Sequence, residues 1–449
     1  MNPAADLPYE VRCPLHGSIA FSARERAILD HPLVQRLRHV SQLGLAHLVY
    51  PGATHTRFSH ALGVMHLAGQ VFDQVLASAQ AQAGAELYAP LLQRARGIVR
   101  LAGLLHDVGH PPFSHTVEPL LPARAALPLP RHWYRHLDLA AQATHEDLSV
   151  AAVYALSQES PALLDAQEAQ DICALIDDAV FPSPLLQSGT GGGPASLYPL
   201  LKQMISGEID ADRMDYLRRD AHFAGVAYGN FDLERLIRSL GAVFTPQGWV
   251  MTLDRSGLYS YENFLMARFH MAMQVYFHKT LLGFEYYLQQ AVLQGEIEFS
   301  LDGSLEGLLA AREDAMLSRL YAARDKPWSG RIIRRHPMRR LVEIRDGQPP
   351  HLVQQVLAVL RGAGIAPVHV REQRRLSVLG QKPAAFPLLV EETVLGRRHC
   401  QPLEQASGLL GRYNRLFSVE NVYCDAADYD RAVAVLQPLL ALAFEENAL

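Results

Sequence analysis

The sequence predicts a mainly α protein: a large helical bundle over residues 1–329, followed by a small α+β module over residues 330–449. Three observations predict it. Apolar residues recur at helical spacing through the first part, as in the stripe of Val64, Leu67, Val71 and Val75 behind His60. After about residue 330 the segments shorten and alternate between strand-like and helical runs. A chain of 449 residues is also too long for one hydrophobic core, so two domains are expected.

Taken in order, Val11 to Phe21 reads as a small hairpin broken by Pro14 and Gly17. Ser22 followed by Glu25 is a capping box before a short helix. Pro32 interrupts, and Leu33 to Val40 continues as an amphipathic helix with Gln35, Arg36 and Arg38 as its solvated face. After a turn at Tyr50-Pro51-Gly52, TRFSHALGVMHLAGQVFDQV is a helix headed by His60; a single histidine there is ordinarily a satisfied core residue. Pro90 suits a first helical turn, and its helix is expected to run to Asp107. A Pro- and Ala-rich loop carries His132, Trp133 and Tyr134, and a further helix begins at Thr144-His145-Glu146. Gly189 to Ser196 is a flexible loop but not a phosphate loop, because no Gly-Lys-Ser/Thr follows. Ile209 to Gly225 places Asp212, Tyr216 and Asp220 on one helical face, with Arg213 beside it. Arg268, Ala272 and Tyr276 repeat that spacing in the aromatic-rich helix or helix pair Leu258 to Leu293. In the last module Arg339 to Ile344, Val368 to Arg371, Pro387 to Glu391 and Leu416 to Tyr423 are strands. Val353 to Leu360 and Tyr429 to Phe444 are helices.

The composition excludes several classes. A formal charge of −5 argues against a general binder of nucleic acid or membrane surfaces. Cys13, Cys173, Cys400 and Cys424 are scattered without a CxxC pair, so no thiolate zinc site or disulfide framework is expected. There is no signal-peptide pattern and no apolar run near the ~20 residues of a membrane span, so a cytoplasmic location is expected.

The chemistry concentrates in LLHDVGHPPFSH, Leu104 to His115. His106 and Asp107 follow two aliphatics, and His110 and His115 flank the prolines. Imidazoles with a carboxylate in one short stretch suit a catalytic divalent metal, although histidines closing a helix also interact with its last carbonyls. His60, His106, Asp107 and Asp212 are four candidate ligands on helices otherwise surrounded by apolar residues.

This H…HD…D pattern resembles the HD-domain phosphohydrolases, and the detail is similar to the deoxynucleoside triphosphate triphosphohydrolases. The stretches that carry it are HPLVQRLRHVSQLG, YPGATHTRFSHALGVMHLAG, LLHDVGHPPFSH, ATHEDLSV, GEIDADRMDYLRRDAHFAG, YFHK and, more faintly, RLFSVENVYCD. The branch includes bacterial members and the animal dNTPase that carries a SAM domain. The resemblance implies an HD-domain helical bundle, a divalent metal (Mn, Fe, Co, Ni, Zn or Mg) on His60, His106, Asp107 and Asp212, and a dNTP cleaved to deoxynucleoside and tripolyphosphate. It further implies Arg57, His110, His115, Arg213 and Arg268 as phosphate contacts, with Lys279 just beyond Tyr276 also toward substrate. His115 becomes the general acid, assisted by His145 and by Glu118, which stands where an aspartate is common. Gln42, Leu43, Tyr216, Asp220 and Tyr276 fall around sugar and base, with Tyr216 against C2′ and Asp220 and Gln42 on the 3′-hydroxyl. Asp30, Gln35 and Arg38, and separately Arg235 and Arg255, match positions of regulatory GTP or dNTP, and relatives assemble as homo-oligomers, from dimers to tetramers or hexamers. Two departures stand out: Ala272 replaces a phosphate-facing histidine, and Tyr9 replaces a lysine of the activator site. Two other readings stay open: an HD nucleotidase or phosphodiesterase acting on nucleoside monophosphates or single-stranded nucleic acid, and a non-catalytic nucleotide sensor. Tyr216 and Asp220 argue against the first, and the complete ligand quartet argues against the second.

Overall fold

The computed structural model describes residues 7–83, 89–187, 196–345, 351–377, 386–414 and 416–445. Nearly all of the expected Gly189 to Ser196 loop lies outside the described residues. The fold is mainly helical, with small sheets. Among the described residues no helix is long and apolar enough to cross a membrane.

The chain forms two compact units that interleave in sequence. The first comprises Met1–Met271, Phe299–Leu317 and Ser377–Arg412. At its centre runs the helix Arg57–Ala83, in which Ala61, Val64, Leu67, Ala68, Val71 and Val75 are wholly buried. It packs against the helix Ala89–Leu105, the helix Ala211–Ala224 and the strand Leu240–Thr245. A helix apolar on so much of its surface has to sit inside a bundle. The N-terminal hairpin pairs Tyr9–Cys13 with Gly17–Phe21, and the Ser22–Glu25 capping box closes it as expected. A second hairpin, Leu240–Thr245 with Gly248–Asp254, is joined in parallel by Leu389–Val394, which pairs in turn with Arg397–Pro402. These last two strands therefore leave the expected C-terminal module, because Leu389 finds its hydrogen-bonding partner at Thr252.

The second unit comprises Ala272–Glu298, Ser318–Leu376 and Tyr413–Leu449, so one boundary near residue 330 does not divide the chain. It opens on a π-helical turn, Ala272–Tyr276, followed by the helix Lys279–Leu293, which packs on Pro327–Ile333. Its sheet orders Arg339–Arg345, Leu416–Cys424 and Val368–Arg375, all antiparallel. The helices Leu352–Gly362 and Tyr429–Glu445 build its core, with Val356, Leu360, Val422 and Ala432 wholly buried.

Two local expectations are corrected. Leu33 to Val40 is not one amphipathic helix but a single turn, Pro32–Gln35, tightened into a 3-10 turn, Arg36–His39. Arg36 is buried rather than solvated, and its guanidinium donates to the carbonyls of Val108 (2.7 Å), His110 (2.9 Å) and Ala311 (2.8 Å). Carbonyls just past a helix end lack intrahelical partners, and a buried cation satisfies them. The helix expected to run to Asp107 also stops at Leu105, so that His106 and Asp107 lie in the turn beyond it. The backbone beyond it packs so closely that a Cβ on Gly109 would lie 2.1 Å from the Ser149 nitrogen.

Candidate active site

The turn just past the end of one helix and the first turns of two others bring the candidate ligands together. His60 Nε2 lies 3.0 Å from Asp212 Oδ1 and 3.7 Å from Asp107 Oδ2. His106 Nε2 lies 3.5 Å from the same Asp212 oxygen and 3.3 Å from Asp107 Oδ1. Both Nε2 atoms are buried and make no hydrogen bond. Each ring is held by its other nitrogen: His106 Nδ1 bonds the Gly103 carbonyl at 2.9 Å, and His60 Nδ1 bonds Asp215 Oδ2 at 2.8 Å. With Nδ1 committed to a partner, Nε2 is the ring atom that faces the carboxylates, and it can bind a metal once it gives up its proton.

The charges agree with this geometry. Burial alone would lower His60, but the contacts and charges of Asp215 and Asp212 push it up to about 10. Burial would likewise raise Asp107, yet the charges of Arg57, His106 and His60 hold it below the ordinary carboxylate range. Asp212 is held well below that range against burial by the two histidines. The pocket favours positive charge, and two imidazoles with two carboxylates form a donor set that suits a divalent transition metal. The residues present therefore fit a metal ion.

Asp215 supports the set and was not singled out in the sequence. Its Oδ1 accepts from His16 Nε2 (2.6 Å) and Arg219 Nη2 (2.9 Å), and its Oδ2 from His60 Nδ1 and Arg219 Nε (2.7 Å). The visible signal was the Asp215–Arg219 pair at i, i+4 on the Asp212 helix; the link to His16 had none. The contact needs Gly63, where a Cβ would fall 1.9 Å from Asp215 Oδ1. Gly63→Ala should cost about 1–3 kcal/mol of stability by overpacking. By displacing Asp215 it should also weaken divalent-metal binding roughly 10–100-fold. Thermal unfolding and equilibrium dialysis against Mn²⁺ check both, and an unchanged metal affinity would refute the second.

Beside this set lies a linked group of imidazoles. Glu118 accepts from His115 Nδ1 (2.9 Å), His145 Nδ1 (2.7 Å) and the His145 backbone N–H (3.0 Å). His145 opens the helix His145–Glu159, so the carboxylate also faces the positive end of a helix dipole. Despite burial, the two imidazoles keep Glu118 well below its ordinary value. His110 is buried, stacks on His145 at 4.0 Å, and has its Nε2 3.5 Å from Asp107 Oδ1. Burial, then the charges of Arg57 and the neighbouring imidazoles, holds His110 well below the usual imidazole range and so neutral. His115 is also drawn down, first by desolvation and then by the charges of His145 and Arg57, with the Glu118 bond opposing them, although 67% of its side chain faces solvent. It sits on a 3-10 turn entered through Phe113 and Ser114, both at positive φ (59° and 54°), a costly backbone typical of functional loops. Arg57 pairs with Asp107 and donates to Ser114 Oγ at 2.9 Å, tying this loop to the ligand set.

The remaining candidates are dispersed. Arg213 turns to Asp210 and the Gly207 carbonyl, and Arg268 is buried in the same unit. Asp220 is buried against His55 Nε2 at 2.7 Å, and His55 stacks on Phe223 at 4.7 Å. Gln42 shares a backbone bond with His55 (3.0 Å), and Gln42 Oε1 and His55 Nδ1 are both buried without hydrogen bonds. Sequence reading missed His55. Leu43 and Tyr216 are half-buried. Tyr276 and the exposed Lys279 belong to the second unit. Arg38 donates to Gln35 Oε1 at 2.8 Å and lies 3.6 Å over the Phe58 ring, while Asp30 pairs with Arg26 at 3.5 Å. Separately, Arg235 bonds Ser256 Oγ at 2.8 Å, next to Arg255, whose guanidinium reaches the Ala406 carbonyl at 3.3 Å.

The helical bundle presents His60, His106, Asp107 and Asp212 together, and residues 57–220 match the HD domain family. HD domains bind divalent metals, and the candidate His/Asp group here agrees. The chain is 30% identical over 293 residues to an uncharacterized protein of Methanocaldococcus jannaschii, covering 65% of this chain and 51% of that one. It is 34% identical over 238 residues to the human deoxynucleoside triphosphate triphosphohydrolase SAMHD1, covering 50% of this chain and 34% of SAMHD1. A hypothetical protein from Aquifex aeolicus of known structure superposes with a TM-score of 0.72 at 26% identity, covering 95% of this chain and 99% of that one. The chain spans about half the length, or less, of the curated relatives it matches.

Proposed function

We propose that this protein is a metal-dependent hydrolase that cleaves deoxynucleoside triphosphates to deoxynucleoside and tripolyphosphate. The observation that carries the reading is the adjacency of two groups across Asp107: the ligand set on one side and the Glu118-linked imidazoles on the other. SAMHD1 homology over half the chain supports the substrate class.

His60, His106, Asp107 and Asp212 would hold the ion. When bound, a divalent cation neutralises phosphate charge and lowers the pKa of a coordinated water. Arg57 and neutral His110 face the phosphates as hydrogen-bond donors. His115, at the solvent edge of the group, gives its proton to the departing 5′ oxygen, and Glu118 holds that ring and His145 in place. Water attacks the α-phosphorus, and the P–O bond to the 5′ oxygen breaks. Asp220, Gln42 and Tyr216 are proposed to contact the sugar. Gln42 Oε1, a buried acceptor, suits a hydroxyl donor, and a site built that way rejects analogues lacking the hydroxyl. Metal identity, nucleotide regulation through the Arg38 and Arg235 regions, and assembly into homo-oligomers are parts of the same proposal.

Product analysis tests it. Incubation of the four dNTPs with Mn²⁺ in ¹⁸O-water should yield deoxynucleosides, with label in tripolyphosphate and none in the nucleoside. Orthophosphate or nucleotide products would favour a nucleotidase or phosphodiesterase, and binding without turnover a sensor; either would overturn the reading.

A further inference from the structure

We propose that the N-terminal hairpin is a positioning element of the metal centre: His16, acting through Asp215, fixes His60 for coordination, so that hairpin docking and metal binding are thermodynamically linked. The inference rests on reading His60, His106, Asp107 and Asp212 as a metal centre, and not on the substrate.

The geometry is a relay across 199 residues of sequence. His16 follows the first strand of the hairpin and reaches into the bundle, its side chain only 4% exposed. Its Nε2–H donates to Asp215 Oδ1, and the other oxygen of that carboxylate receives His60 Nδ1–H. A carboxylate offers about four acceptor sites, and Asp215 uses them on four donors: His16, His60 and two from Arg219. Its orientation is thus over-determined, which locks the His60 tautomer that exposes Nε2. The hairpin makes a second contact on the same group, Arg219 Nη2 to Cys13 Sγ at 3.5 Å. At its far end Arg100, from the helix that leads to His106, donates to the Ala20 carbonyl at 2.9 Å. The hairpin therefore touches the supports of two of the ligand-bearing helices.

Removing His16 leaves a buried carboxylate oxygen short of a donor and lets the Asp215–His60 pair rotate. Partners of metal-bound histidines typically contribute 10–100-fold to metal affinity. Linkage is reciprocal, so a bound metal must stabilise the docked hairpin by the same factor.

Equilibrium dialysis of the full chain against Mn²⁺ reads the affinity directly. His16→Ala is expected to raise Kd roughly 10–100-fold. His16→Gln, whose amide nitrogen falls near the Nε2 position and can still donate to Asp215, should recover much of that loss. Tyr9→Ala, which removes the stacking of Tyr9 on Phe21 within the hairpin but not the relay, should bind Mn²⁺ nearly as the parent does. An unchanged Kd in His16→Ala, or a Gln variant no better than Ala, would overturn the proposal. If the His16 variants do not fold, hydrogen exchange on the parent decides: Mn²⁺ should slow exchange in residues 9–21, and identical exchange with and without Mn²⁺ would overturn it. A parent that binds no divalent ion would overturn both this and the metal reading, whereas failure to form tripolyphosphate would leave the linkage standing.

Discussion

Asp107→Ala is expected to abolish both retained divalent metal and hydrolysis. One Asp107 oxygen stands within 3.5 Å of His106 and His110 Nε2, and the other faces His60 and Arg57. The substitution deletes a ligand oxygen and a negative charge, and it leaves the buried Arg57 guanidinium without its carboxylate. That cation would then repel an incoming metal. Losing metal assistance removes several kcal/mol of transition-state stabilisation. At tenfold per ~1.4 kcal/mol, turnover should fall roughly 10³-fold or more. Asp107→Asn keeps the side-chain volume and separates loss of charge from loss of packing. Elemental analysis of dialysed protein alongside a dNTP turnover assay is the measurement. A folded variant with full metal content and normal turnover would sink the assignment.

His115→Ala should slow turnover about 10²–10⁴-fold while metal content stays at the parent value. An alkoxide leaves poorly near neutral pH, so a placed acid matters most at the 5′ oxygen. The ring projects from the Ser114–Thr116 turn toward solvent and is steered by Glu118. In the free protein its surroundings draw its pKa below the ordinary imidazole value of 6.5. Its acid form is therefore lost as pH rises through a value below 6.5, and kcat/KM should show that alkaline limb in the parent. The limb should be missing in the variant. A parent profile rising through this range, or a variant retaining the limb, would assign the acid elsewhere.

The sequence by itself determined the helical character and put forward four candidate ligands. His60, His106, Asp107 and Asp212 stand out because polar residues interrupt runs that helical periodicity requires to be apolar, and Gly109, Pro111 and Pro112 announce where the helix must stop. The cap at Ser22 was legible because its hydrogen bonds span only three residues. The tertiary structure alone decided the long-range pairings. Arg36 looks like one more solvated arginine until its neighbours are seen to be the carbonyls of Val108 and His110. The strand at Leu389 reads as part of a C-terminal module until it hydrogen-bonds beside Thr252. His55 on Asp220 and His16 on Asp215 had no local signal, because a side chain's partner depends on where two elements cross, and periodicity records only which face of an element is buried.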